Sequence, residues 1–192
     1  LVLKSCEFFF TGLNHNHFSD NAIALSYTKL DNTMVVNSNA LIAALLVDVY
    51  NLVNIDKYLL LAHKILKFVL EMQDQNGSWL YAKAGAPNID HYHTAMTVQA
   101  LIRIYSANVC NNQLQYQILD AITRATEFHL CHLFENQCPK ITDKNSFPLS
   151  TILFMEDALL FDLLLDISAD LNTDLVSRIK TQWIANIDYA IK

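Results

Sequence analysis

Helical spacing of apolar residues recurs in six stretches of this chain, and the stretches pair into hairpins with a period of about 56 residues. Residues 38–53 carry Leu41, Ala44, Leu45, Val49 and Leu52 on one stripe, and residues 57–74 carry Tyr58, Leu61, Ile65, Phe68 and Met72. The third stretch, 93–107, runs through Met96, Ala100, Leu101 and Ile104, and the fourth, 113–133, through Leu114, Ile118, Ile122, Ala125 and Leu133. The fifth, 150–168, is apolar nearly all round, which predicts a buried helix. The sixth follows a cap at Asn172 or Thr173 and carries Leu175, Ile179, Trp183 and Ile187. Asp56 is the expected cap of the second. A fixed period of helical hairpins specifies an all-α array, and the expectation is an (α/α) toroid or an arc of one. Only three glycines and three prolines occur in 192 residues, too few for the turns of a sandwich or a doubly wound sheet.

One domain spanning 1–192 is expected from this length. The net charge of −6 and the lack of a Lys/Arg cluster exclude a phosphate-tracking surface, so no nucleic-acid partner is expected. The apolar runs 40–53 and 149–165 are interrupted by Asp48 and by Glu156, Asp157 and Asp162, so no membrane span is expected. No signal peptide is recognisable at the start. Cys6, Cys110, Cys131 and Cys138 lack paired spacing and read as reduced thiols of a cytoplasmic protein. There is no Walker loop, GxGxxG, GxSxG or HExxH.

Chemistry-bearing residues gather where loops enter the first helix of each hairpin: "VVNSNA" at 35–40, "IDHYHT" at 89–94 and "FPLSTI" at 147–152. In an α/α array those loops open on one rim. The candidate rim site is therefore Asn37, Asn39, Asp90, His91, His93 and Thr94, with Tyr27 and Tyr81 nearby. Asp90, Tyr92 and His93 are the candidate catalytic residues, because a carboxylate can orient a histidine and Tyr or His can remove a substrate proton. Asp90 can equally serve as the cap of the helix that follows, and His91, His93 and Asp90 are acceptable metal ligands. Trp79 and Tyr81 supply aromatic faces on the same rim. Gly85, Pro87 and Asn88 supply turn chemistry between the two ends of this loop.

The stretch from "LSYTKLDNTMVVNSNALIAALL" to "IDHYHTAMTVQALIRIY" resembles bacterial α/α-toroid proteins of capsule and exopolysaccharide clusters, which are similar in fold to six-hairpin glycosidases, uronate epimerases and polysaccharide lyases. The resemblance rests on Ser26-Tyr27-Thr28 with Asp31, Val36-Asn37-Ser38, Gln73-x3-Gly77-Ser78-Trp79 and Asp90-x-Tyr92-His93-Thr94. It implies a carbohydrate-handling protein of surface polysaccharide biosynthesis, with epimerase-, lyase- or hydrolase-like chemistry on a sugar polymer or precursor. It also implies six hairpins, of which three are present, and an Asp and a His after Pro148, where this chain has Leu149-Ser150-Thr151-Ile152.

Two other readings stand beside it. One is a non-catalytic helical-repeat module that binds a protein or glycan. The other is a terpenoid-cyclase-like toroid, suggested by Gln73-x3-Gly77-x-Trp79, although the Asp-rich acid motif of that chemistry is missing. The Gln-Gly-Trp motif has a structural sense of its own: an amide for backbone groups at a helix end, a positive-φ turn and a buried ring. His15-Asn16-His17 reads as a solvated polar loop. Glu156 and Asp157, inside an apolar helix, are expected to pair with Arg103, Arg124 or Lys140. His129, Cys131, His132 and Cys138 are dense, but their spacing matches no standard zinc motif, so no metal or cofactor is expected.

Overall fold

The computed structural model describes residues 2–82, 89–145 and 151–191. Three helical hairpins make up most of it: α2 (Val36–Val53) with α3 (Asp56–Glu71), α4 (His91–Ser106) with α5 (Asn112–His132), and α6 (Thr151–Asp166) with α7 (Thr173–Ile191). The helices α2, α4 and α6 pack side by side as an inner row, and α3, α5 and α7 back them as an outer row. This is an arc of an (α/α) toroid, as the hairpin period requires. The inner helices start at residues 36, 91 and 151.

Local chemistry accounts for the helix ends. The Asp90 carboxylate accepts from the His93 amide, Asn111 accepts from the Leu114 amide, and Asn172 accepts from the Leu175 amide. Asp56 is the first residue of α3 rather than its cap, which is Ile55 and makes no side-chain bond. Asp56 instead places a negative charge in the positive first turn. Neighbouring loops satisfy further free amides: Val36 N–H donates to the Tyr81 carbonyl and His91 N–H to the Ile141 carbonyl, both at 3.0 Å. The same closure thus recurs one repeat apart, joining α2 and α4 each to the loop entering the next hairpin.

Three features differ from the expectation. A helix, α1 (Val2–Thr11), precedes the first hairpin. His15-Asn16-His17 is not a solvated loop but part of a two-stranded hairpin, β1 (His15–Ser19) and β2 (Ala22–Leu25). All four β2 residues are buried against α3, and Phe18 meets Phe68 edge-on at 5.1 Å. A short pair, β3 (Phe134–Glu135) and β4 (Cys138–Pro139), follows α5. The β1–β2 pairing escapes the helical pattern because its apolar side, Ala22 to Leu25, is only four residues long.

The α2 stretch reaches mean hydropathy 1.4 over 18 residues, long and apolar enough to cross a membrane. Half of it is buried in the bundle, and it packs on both α3 and α4 as an inner helix.

The Gln-Gly-Trp motif closes the first hairpin as its structural reading requires. Gln73 Nε2 donates to the Gly77 and Ala121 carbonyls, at 3.0 and 2.9 Å. Trp79 is 3% exposed and its indole N–H reaches the Val69 carbonyl in the last turn of α3 at 2.9 Å. Gly77 has φ +90°, and a Cβ there would run into the Arg124 backbone carbonyl. Gly77→Ala is therefore expected to cost about 3 kcal/mol, from strain at positive φ together with that contact. In thermal melts this is a fall of about 6–12 °C for a chain of this size; an unchanged melting temperature would refute the close approach to α5.

Candidate functional site

The N-termini of the inner helices α2 and α4 flank a narrow cleft lined by Val36, Asn37, Trp79, Leu80, Tyr81, Asp90, His93, Thr94 and Thr97. Asp90 and His93 form its polar centre. Asp90 Oδ1 accepts from the His93 backbone amide and from His93 Nδ1, both at 2.8 Å. The cap and the carboxylate–histidine pair are thus one arrangement: the caps of the first turn place Asp90 under the ring it orients. The half-buried Asp90 loses solvation, which pushes its carboxyl up, but the two His93 hydrogen bonds outweigh this and hold it below the usual carboxylate range. An ionised Asp90 keeps the ring hydrogen on Nδ1 and directs the Nε2 lone pair away from the pair. Nε2 makes no hydrogen bond among the described residues.

Tyr81 stands edge-on to His93 at 4.7 Å between centroids. Burial raises the Tyr81 phenol above its ordinary range, and the nearby Tyr27 and Asp90 add to the rise. Tyr27, 57% exposed, stands near Tyr81 but lines the neighbouring apolar groove rather than this cleft. Thr94 and Thr97 return their hydroxyls to the Asp90 and His93 carbonyls at 2.7 and 2.8 Å. The buried Asn37 donates weakly to Met96 Sδ, and its Oδ1 has no partner among the described residues. Between these walls there is room for about one water. A sugar ring would have to rest on the mouth, where Tyr27, Tyr81 and His93 are accessible.

Of the expected site residues, Asn37, Trp79, Tyr81, Asp90, His93 and Thr94 line this cleft. Trp79 is mostly covered and serves the core. Tyr92 does not line the cleft; its ring stands edge-on to His93 at 5.4 Å. Two residues lie elsewhere. Asn39, 1% exposed, binds the Leu25 amide at 2.8 Å and the Leu25 and Val35 carbonyls at 3.0 and 2.8 Å, sewing β2 to α2. Its amide is fully used and cannot face a ligand. His91 is completely buried and points away from the cleft to Asp157. Sequence reasoning missed Val36, Leu80 and Thr97 as lining residues. Thr97 could have been found, since it lies one helical turn beyond His93. Gly85, Pro87, Asn88 and the 147–150 stretch lie outside the described residues.

The Asp157 carboxylate does not pair with Arg103, Arg124 or Lys140. Arg103 pairs with Asp48 and Arg124 with Asp120, while Lys140 donates to the His132 and Asp143 carbonyls. Asp157 Oδ1 instead meets His91 Nε2 at 2.8 Å and His129 Nε2 at 2.9 Å, all three side chains fully buried. Burial pushes Asp157 up, and the two histidines more than reverse this, so it is held below its usual range. Glu156 separates from it and accepts from Gln99. The His129–Cys131–His132–Cys138 group does not converge: Cys131 and His132 are exposed and His129 faces Asp157.

An apolar groove lined by Phe8, Phe9, Leu13, Tyr27 and Ile42 has no carboxylic acid among its lining residues. A terpenoid-cyclase cavity needs an acid at its top, so this groove does not supply one.

No family model and no curated protein sequence matches the chain. Solved structures do. The unsaturated glucuronyl hydrolase of Bacillus sp. GL1 superposes with TM-score 0.69 at 12% identity, covering 96% of this chain and 54% of its own. The GH76 α-mannanase of Bacteroides thetaiotaomicron gives 0.68 at 12% identity, covering 95% and 52%. A D-mannose isomerase gives 0.62 at 15%, covering 97% and 49%. The chain therefore spans about half the length of these structures. At such identities the likeness is one of architecture: the chain has the (α/α) toroid fold of glycosidase-like enzymes, over an arc of three hairpins.

Proposed function

We propose that the chain handles carbohydrate and that the cleft between α2 and α4 is its sugar-binding site. The observation that carries this reading is the convergence of Asn37, Tyr81, Asp90, His93 and Thr94 on the rim formed by the inner-helix N-termini. Tyr27 and Tyr81 offer faces for a sugar ring, and Asn37 Oδ1 and His93 Nε2 offer unfilled polar positions. Three solved structures of the same fold, a mannanase, a glucuronyl hydrolase and a mannose isomerase, are named for sugar chemistry, which supports the reading. In an epimerase-, lyase- or hydrolase-like reaction His93 is placed to move the proton and Asp90 to orient it, with Tyr92 beside the ring. The biological setting proposed is the synthesis of a surface polysaccharide in the cytoplasm. The resemblance of the 23–105 stretch supports the first part, and four free thiols accord with the second.

The test is a thermal-shift and calorimetric screen of uronic-acid and amino-sugar oligosaccharides. His93→Ala is expected to weaken binding about tenfold or more, about 1.4 kcal/mol. A wild-type shift that survives His93→Ala would place the sugar elsewhere. No shift with any sugar would favour a helical-repeat interaction module instead. One observation favours that second reading: Ile152, Met155 and Leu159 form an exposed apolar stripe on α6.

A further inference from the structure

Behind the cleft, three side chains from three helices bring donor atoms to one point. His91 opens α4, His129 lies in the last turn of α5, and Asp157 is in the second turn of α6. Their nearest ligating atoms lie within 4.8 Å of one another, and all three residues are buried. Phe134 packs on both imidazoles, at 5.4 Å from His91 and 5.5 Å from His129, and Phe161 covers His129 at 6.3 Å. The three side chains are fully buried, and nothing in the cleft chemistry uses them.

The hydrogen bookkeeping is the informative part. His91 Nδ1 faces the Leu133 carbonyl at 3.0 Å, and a carbonyl only accepts, so this nitrogen carries the ring hydrogen. For a neutral ring, Nε2 is then a lone pair aimed at Asp157 Oδ1, 2.8 Å away. Two acceptors at that separation repel unless a cation lies between them. His129 Nε2 aims at the same oxygen from 2.9 Å, while its Nδ1 has no partner among the described residues. With both rings neutral, only His129 Nε2 can bring a proton to Asp157, and the His91 lone pair stays opposed to the carboxylate unless that ring becomes a buried imidazolium. A metal ion can take all three atoms at once. A ring nitrogen fixed through its other N–H by a backbone carbonyl is the usual way a protein prepares a ligating histidine. Asn186, 3.4 Å from Asp157 Oδ2, is the next polar group in reach and can orient the carboxylate.

We propose that His91, His129 and Asp157 bind one divalent transition-metal ion of the zinc class, and that the ion clips α4, α5 and α6 together beneath the cleft. Two imidazole nitrogens and one carboxylate oxygen suit zinc or cobalt(II) and disfavour magnesium or calcium, which prefer all-oxygen shells. Ligand bonds of about 2.0–2.2 Å place the three donors within the separation found here after small rotamer adjustments. The role is structural: all three ligands are fully buried beneath the cleft, away from its opening.

The test strips the purified chain with EDTA, dialyses it, and adds zinc or cobalt(II) alone. About one ion per chain is expected by elemental analysis, with a rise in melting temperature and visible cobalt absorption of a low-coordinate site. His129→Gln and Asp157→Asn are expected to weaken uptake at least 100-fold, while His132→Gln, at an exposed neighbour, leaves it unchanged. Far-UV circular dichroism confirms that each variant is folded. Should a variant unfold, zinc uptake and the cobalt spectrum of the wild type still decide the matter. No uptake by the wild type, or equal uptake by His129→Gln, overturns the proposal and leaves the cluster as a proton-sharing triad.

Discussion

Asp157→Ala in metal-free buffer is expected to destabilise the chain by about 3–5 kcal/mol, the cost of removing one partner from a buried charged cluster. The carboxylate is the shared partner of two imidazoles from other helices, His91 at 2.8 Å and His129 at 2.9 Å, with no solvent to replace it. Alanine removes that partner from both rings and opens a void in the buried cluster beside His129 and Phe161. For a chain of this size the loss is a fall in melting temperature of about 6–20 °C. Asp157→Asn keeps one oxygen for one histidine and should lose about half as much. Urea titrations of the two variants read both values. A midpoint within error of wild type for alanine would mean that the cluster is open to water and contributes nothing to the junction of the second and third hairpins.

Trp79→Ala is expected to cost a similar amount, about 3–5 kcal/mol, for a different reason. The ring is part of the main core, and its indole N–H satisfies the Val69 carbonyl, one of the orphan carbonyls at the end of α3. Trp79→Phe retains most of the apolar bulk and should lose about 1 kcal/mol for the missing hydrogen bond. The ordering wild type, Phe, Ala in thermal melts checks this. If Trp79→Ala left stability intact but abolished sugar binding, the residue would belong to the site and not to the corner.

Both variants bear on how the loop 73–94 divides. Its first half, Gln73 to Trp79, is a helix-closing device in which the Gln73 amide and the Trp79 indole both donate to backbone carbonyls. Its last part, from Asp90, opens α4 and carries the cleft. That division was legible from residue types alone. Glycine before tryptophan at a helix end has a structural use, and an acid three residues ahead of a histidine fits both a cap and an orienting pair. Both uses of Asp90 turn out to be simultaneous, through one oxygen.

The hairpin array was determined by the sequence itself. Helical periodicity is a property of neighbouring residues, so apolar stripes from Leu41 to Leu52 or from Leu114 to Leu133 state their conformation and their buried face without reference to the rest of the chain. Three such pairs at one period leave few ways to pack. Only the tertiary structure decided what the polar residues do. Asn39 looked like a rim residue because its neighbours in the first turn are, yet Leu25, 14 residues away, claims its amide. His91 sits between two cleft-bearing positions, and its direction is set by Asp157, 66 residues on, which in turn is shared with His129. A histidine or an aspartate is as acceptable exposed as buried, provided it has a partner. Its role is therefore chosen by whichever distant group the packed helices bring within hydrogen-bond reach, and no local pattern records that choice.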